Sequence, residues 1–491
     1  MNIALPIFLA LSCAQEAAQE APQEPAAVEL SLKDTLRLAT TYSLSMQLAN
    51  AVRDSARYES DARWARFDWQ LQVDGSITDA EYEGNSELAG APIILQKDQG
   101  LNVSLSKPTQ LGPTFQLLYS SNEATTNNTY AYLPHSTTGT LTLGLTQRLL
   151  AGRGSKYNTA LQYQADKEYA FATETTRATN RKLVNEVFQG YWSLVSAQGS
   201  AESAELGVRL GEEFLRLAKD RFDIGVGLEL DVLQAETELA KRQETRTQTL
   251  ITRMTAEDTL RQFIYASNSP LAWNEKFIAT DAFPEINPAT KLPEWSTIYN
   301  TAREANPEIA ASMLRLQVAK RLLHVAASDQ QSSLDLQLQV RSQGFEASAF
   351  EAWSETFDGD YPTLSAAIRW QMPLSGAEPR ARTKKTRAEL RKAQLELDSA
   401  EKSLTSKLRV ALRAIEQQSL AYQASERSLA LATRQQEIES ARYKEGSSTS
   451  MRLLSAQQAL LESSAASITA QAKYVIAVGQ LEVLLGQHDR R

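Results

Sequence analysis

Asp231 and Arg452 are the charged residues whose setting most invites a chemical reading. Asp231 lies in the stretch Arg221-Phe222-Asp223-Ile224-Gly225-Val226-Gly227-Leu228-Glu229-Leu230-Asp231-Val232-Leu233. Arg452 holds the equivalent place in Arg442-Tyr443-Lys444-Glu445-Gly446-Ser447-Ser448-Thr449-Ser450-Met451-Arg452-Leu453-Leu454, with Gly446 in register with Gly225 and Leu454 with Leu233. Opposite charges at matching positions of two chain reversals can pair across neighbouring hairpins, an interaction worth about 0 to 1 kcal/mol when exposed. The plainer reading of all these residues is turn formation and coiled-coil packing.

The other reactive side chains point away from catalysis. His135, His324 and His488 are isolated, without Cys, His or acidic neighbours at metal-ligand spacing, so no metal site is expected. Glu212-Glu213 belongs on a solvated helix face rather than in acid/base work. Gly152-x-Gly154 lacks a phosphate-binding lysine and reads as a turn. No cofactor and no enzymatic activity follow. A net charge of −8, with Lys and Arg scattered, gives no nucleic-acid footprint.

The elements that must position the two turns are long. Before the first, Leu183, Val187, Gly190, Leu194, Ala197 and Ala201 begin a heptad-like series that continues to Phe222, with small residues that let backbones approach closely. Gly225 and Gly446 supply the positive φ that reverses the chain. At ~1.5 Å per residue the helices ending at the turns, each roughly 70 residues, are ~100 Å long, and the returning helices about half that. This is the geometry of a tube wall.

Taken in order, residues 1–14 read as a signal segment and 15–30 as an Ala/Gln/Pro tether. No Lys or Arg precedes the apolar run Ile3 to Leu11, and Pro6 interrupts it. Cys13, the single cysteine, sits where a lipoprotein signal places its acylated residue, but cleavage after Ala14 would discard it; lipidation and plain cleavage both stand. Residues 31–267 form a first repeat: one amphipathic helix from Leu32 to Phe67, strands over about 69–148, and a helical hairpin over about 154–265. Leu71, Val73 and Ile77, then Leu101, Val103 and Leu105, alternate with polar residues as strands do. Residues 268–293 read as a linker. Residues 294–487 repeat the order, with strands about 333–373 split by an acidic aromatic loop from Phe345 to Tyr361, and a hairpin about 379–485. The first repeat has about twice the strand region of the second, through an extra hairpin around Leu101 to Tyr119. No apolar run of about 18 residues occurs, so no inner-membrane helix is expected.

The two turns, each an R-[FY]-x-x-G followed by Leu-x-Ala (Leu233-Gln234-Ala235 and Leu454-Ser455-Ala456), resemble those of the TolC-like outer-membrane efflux proteins, the outer membrane factors. The resemblance runs over nearly the whole chain after about Leu30. It implies a mainly α fold with β: a homotrimer with a coiled-coil α-barrel tunnel in the periplasm and one shared β-barrel in outer-membrane lipid. It implies a passive exit duct of a tripartite efflux or type I secretion system, whose partners are a periplasmic adaptor protein and an inner-membrane transporter. Arg221, Gly225, Leu230, Val232 and Leu233, with Arg442, Gly446, Met451, Leu453 and Leu454, match the family's tip motif, which lines the periplasmic entrance and docks the adaptor. Beside what the resemblance implies, the opposite charges of Asp231 and Arg452 are read as a gate pair across neighbouring hairpins that helps hold the entrance shut. In relatives an acidic residue near the second position can help form a cation-selective ring, where this chain has Arg452 and Ser455.

Two other classes fit parts of the pattern. A periplasmic coiled-coil tether explains the heptads but not the strands between duplicated helices. A secreted adhesin or toxin component uses similar helices but needs no transporter. The transported substrate is not written in the chain, because a passive duct takes its specificity from the pump behind it.

Overall fold

The computed structural model describes residues 27–84, 90–265, 275–284, 293–359 and 361–487. The signal segment, Cys13, most of the tether and His488 lie outside the described residues. The chain begins with β1 (Ala27–Leu30), α1 (Leu32–Tyr42) and α2 (Leu44–Trp64), followed by β2 (Gln70–Glu83), β3 (Ile93–Pro108), β4 (Thr114–Thr126) and β5 (His135–Arg148). Next come α3 (Ser155–Asn158), α4 (Ala160–Asp223), α5 (Glu229–Ile264) and β6 (Lys276–Ala279). Then α6 (Trp295–Ala305), α7 (Pro307–Ser328), β7 (Ser333–Glu346), α8 (Ala349–Asp358), β8 (Thr363–Gln371), α9 (Ala377–Lys444) and α10 (Ser450–Leu485) complete the order. The described residues form two compact units, one comprising those up to Ser43 with Glu186–Ile286 and Gln418–Ile476, the other Leu44–Asn185, Asn287–Gln417 and those from Ala477 on.

The sequence predicts a single helix over 32–67, repeated at the start of the second half, and the structure breaks both copies. Ser43 leaves α1 with an extended ψ of 128°. Asn306, held out of the helical region by the ring of Pro307, has ψ 115° and caps α7 by accepting from the Ile309 N–H at 3.0 Å. Helices α4 and α9 run 64 and 68 residues without interruption. Helix α10 has the length and apolar content of a membrane-crossing helix, against the sequence expectation that none exists. Its Ala456, Ala472 and Val475 are buried within the protein, so part of the apolar content serves packing.

In the first unit, α4 lies between two returning helices. A side chain on Gly190 would meet Leu260 of α5 at 3.0 Å, and one on Gly207 would meet Leu461 of α10 at 3.0 Å, so small residues set the helix spacing. The core at the other end of this unit gathers Phe188, Tyr191 and Trp192 of α4 with Leu260 and Ile264 of α5. Onto it is pressed a two-stranded parallel sheet of β1 and β6. Both strands fall in segments read from sequence as tether and linker, which is a correction: Leu30 and Phe277 bury their side chains in the core, and that burial fixes the strands. Tyr191 Oη lies 3.0 Å from the Leu30 carbonyl and 2.8 Å from Asp281 Oδ2, and burial pushes its phenol up to about 12.

The second unit holds a six-stranded antiparallel sheet in the order β2-β3-β4-β5-β7-β8. Its register aligns Leu71, Leu105, Leu117, Leu143, Val340 and Leu364 in one row across all six strands. On the opposite face Asp74, Asn102, Ser120, Thr140 and Gln343 form a polar row. Strict alternation therefore gives the sheet one apolar and one polar face. Among the described residues β2 and β8 pair on one side only. The region read as an acidic aromatic loop contains α8, capped by Ser348, whose Oγ accepts from the Glu351 N–H at 3.3 Å. It packs on the sheet, with Ala352 and Thr356 fully buried.

Candidate functional site

Both turns close by the same local chemistry. Gly225 and Gly446 each have φ +76°, a left-handed conformation that an L side chain resists. The Gly225 N–H donates to the Phe222 carbonyl at 2.9 Å and the Val226 N–H to that of Arg221 at 2.9 Å. In the second turn the Gly446 N–H donates to Tyr443 at 3.1 Å and the Ser447 N–H to Arg442 at 2.9 Å. These bonds satisfy carbonyls that the ends of α4 and α9 would otherwise leave open.

The turns are joined through a small core. Phe214 and Ala218 of α4, Ala235 of α5, Tyr443 of α9 and Leu453 of α10 are all buried, with Val232 and Leu454 packed around them. Arg221 lays its guanidinium over the Tyr443 ring, 5.0 Å from the centroid, and donates from Nη1 to the Tyr443 carbonyl at 3.1 Å. A cleft of about 380 Å³ beside it is lined by Arg221, Leu228, Asp231, Tyr443 and Met451. Farther along the hairpins, the nearly inaccessible Arg242 donates to the Gly207 carbonyl at 3.1 Å and to Gln457 Oε1 at 2.9 Å, tying α5 to α4 and α10.

Asp231 is the electrostatic centre of the tips. Its Oδ2 accepts from the Leu228 N–H at 3.3 Å, and its Oδ1 accepts from the Ser450 hydroxyl at 2.7 Å. Leu228 precedes α5 and Ser450 begins α10, so one carboxylate faces the positive ends of two helix dipoles. Two lysines reinforce the region from the surface: Lys219 with Glu236 and Lys444 with Glu213, each at 3.1 Å.

The residues singled out from sequence divide into three groups. Leu453 is buried, and Val232 and Leu454 are half-buried. Leu230, Leu233 and Met451 are exposed. Arg221 is engaged by Tyr443, whereas Arg442 stays on the surface beside Glu439 at 3.6 Å. Asp231 and Arg452 come from adjacent elements, but among the described residues Asp231 is bonded to Ser450 and not to Arg452, which is exposed. Cys13 lies outside the described residues. Sequence reading passed over Phe214, Arg242, Ser450 and Gln457. Ser450 lies in the second turn stretch, but its bond to Asp231 has no local signal, and neither have Arg242 and Gln457, because their burial depends on a third helix.

The family profile described as Outer membrane efflux protein matches residues 106–264 and 298–487. Among solved structures, a membrane protein from Pseudomonas aeruginosa aligns with 17% identity and TM-score 0.68, covering 93% of each chain. VceC of Vibrio cholerae aligns with 16% identity and TM-score 0.65, covering 93% of this chain and 96% of its own. The CmeC outer membrane channel of Campylobacter jejuni gives 16% and 0.65, with 93% and 85% covered. A comparison with curated protein sequences finds no significant match.

Proposed function

This chain belongs to the outer membrane efflux protein family, an efflux-type channel of the bacterial outer membrane with a periplasmic extension, and we propose that it is the gated exit duct of a tripartite efflux or type I secretion system. The observation that carries the reading is the six-stranded sheet, apolar on one face, polar on the other and, among the described residues, open at both edges. Open edges are not tolerated in lipid, where each unpaired backbone group costs several kcal/mol. A trimer removes them. Strand directions alternate from β2 to β8, so β8 of one copy meets β2 of the next antiparallel, and three times six strands close a barrel. A barrel of that strand number encloses a water-filled lumen.

The helical hairpins extend into the periplasm, and their tips form the entrance. Exposed Leu230, Leu233 and Met451 supply the apolar contacts for a periplasmic adaptor, behind which an inner-membrane transporter drives the substrate. Asp231 and Arg452 act as the gate: Asp231 holds the two turns of one chain together through Ser450, and exposed Arg452 is free to meet an acidic group of the neighbouring copy.

Single-channel recording of detergent-purified protein in a planar bilayer, with cross-linking to count subunits, tests the proposal. A trimer with a narrow, stable conductance that widens on Asp231→Ala supports it. A monomer without conductance overturns it in favour of a periplasmic coiled-coil protein. If Arg452→Asp leaves conductance and ion selectivity unchanged, the gate role of that residue is wrong.

A further inference from the structure

Helix α8 sits on the apolar face of the sheet, at the end remote from the strand termini that lead into α3, α7 and α9. Two glycines make its seat. Gly139 of β5 and Gly344 of β7 stand directly opposite each other in the register. A side chain on Gly139 would strike Thr356 at 2.4 Å, and one on Gly344 would strike the Ala352 carbonyl at 2.3 Å, so the helix backbone rests on bare strand backbone. Gly139 shares its face with Leu141, Leu143 and Leu145 by strand alternation, which puts α8 on the apolar side.

At ~100° per residue α8 carries three stripes, the outer two each about 110° from the one against the sheet. Ala352 and Thr356 form the stripe against the sheet. Phe350, Trp353 and Phe357 form the second, ring on ring (Phe350 to Trp353 6.1 Å, Trp353 to Phe357 5.0 Å), and all three are exposed, Phe350 to 75%. Glu351, Glu355 and Asp358 form the third. The direction of each stripe is fixed by a contact. Phe357 meets the ring of Tyr119 at 6.0 Å, and Tyr119 pairs with Leu141, one step from Gly139 toward the middle of the apolar band. Glu355 accepts from the N–H of Phe345 at 2.8 Å, beside the outer end of β7 at Glu346. The aromatics therefore face down the apolar band, and the acids face away from it.

We propose that α8 is an interfacial membrane helix on the lipid side of the barrel. Its Phe350, Trp353 and Phe357 enter the headgroup and acyl boundary of the outer leaflet, and its acidic stripe stays in water and limits the depth. The occupant is lipid rather than a protein partner, because the aromatic stripe continues the row of exposed leucines that the sheet presents on the same face. Exposed aromatics next to a contiguous apolar band are also the arrangement that the bilayer boundary favours, at a depth of about 5–10 Å. This inference rests on the proposal that the sheet's apolar face meets lipid.

Quenching of tryptophan fluorescence by phospholipids brominated either near the carbonyl or near the methyl end of the acyl chain tests it. The full-length protein is reconstituted, and the contributions of Trp353 and Trp370 are isolated by subtraction of Trp353→Phe and Trp370→Phe. Trp370, on the apolar face of β8 and 61% exposed, reports whether the sheet itself meets lipid. The expected result is that both are quenched, Trp353 about twofold more by the shallow than by the deep bromine. Quenching of Trp370 without Trp353 overturns the interfacial helix and leaves the barrel intact. Deep quenching of Trp353 overturns the interfacial placement, and absence of quenching at both residues overturns the membrane sheet together with the helix.

Discussion

The two hairpin tips share a backbone and differ in what they present. Gly225 and Gly446 have the same φ, and the two hydrogen bonds that close each turn match in register. Yet Phe222 is 45% exposed, whereas its counterpart Tyr443 is 4% exposed and forms the centre of the core that joins the tips. Arg221 is drawn onto that ring; Arg442 stays at the surface beside Glu439. The first turn exposes Ile224, Val226 and Leu228, while the second exposes Ser447 and Thr449. One turn code thus serves two tasks: the second hairpin locks into the first, and the first offers the apolar rim.

The sharpest test of that asymmetry is a matched pair. Tyr443→Ala empties the shared core and removes the support of Arg221 and Phe214, so it is expected to loosen the tips by about 3 to 4 kcal/mol. Phe222→Ala, at the equivalent position, should cost less than about 1 kcal/mol. Limited trypsin cleavage at the tip arginines reads both; equal sensitivity of the two variants would erase the distinction. Next in size, Asp231→Ala removes the acceptor for Ser450 and for the Leu228 N–H, a loss of about 1 to 2 kcal/mol. It should raise the frequency of channel opening, with Asp231→Asn recovering part of the closed state.

The smallest effect lies away from the tips and serves as their control. Tyr191 is buried as the neutral phenol, and its folded value of about 12 stands above the ordinary 10.0. A raised value means that its contribution is complete below pH 10 and is lost as pH climbs from 10 toward 12. Alkaline hydrogen exchange should therefore open β1 and β6 before the tips. Tyr191→Phe, at about 1 kcal/mol, should flatten that pH dependence without changing conductance. If the tips open first at high pH, the phenol is not what holds the β1–β6 sheet.

The periodic parts of this fold were legible because their partners repeat along the chain. The heptads of α4, the glycine reversals and the strand alternation all report local constraints. Helix α8 was hidden by its own aromatics and acids, although Ser348-Ala349-Phe350-Glu351 is a capping-box pattern that marks a helix start. Strands β1 and β6 had no comparable signal: four residues each, paired in parallel across a long sequence separation. The unequal use of Phe222 and Tyr443 was also unreadable, since both fit the same motif position and only packing by Phe214 and Ala218 tells them apart.

The β1–β6 pairing also constrains the order in which the chain is assembled. Leu32 donates its N–H to Asp281, a partner 249 residues away, and β1 pairs with strand residues that emerge almost as late. A chain crossing a membrane from its N-terminal end delivers β1 first and its partner only after the strands and the first hairpin have passed. Until then β1 is an unpaired edge of the kind that recruits wrong neighbours. Its brevity and the exposed Glu29 limit that hazard. An early strand is therefore fixed late, since the β1–β6 sheet cannot close before β6 has been delivered.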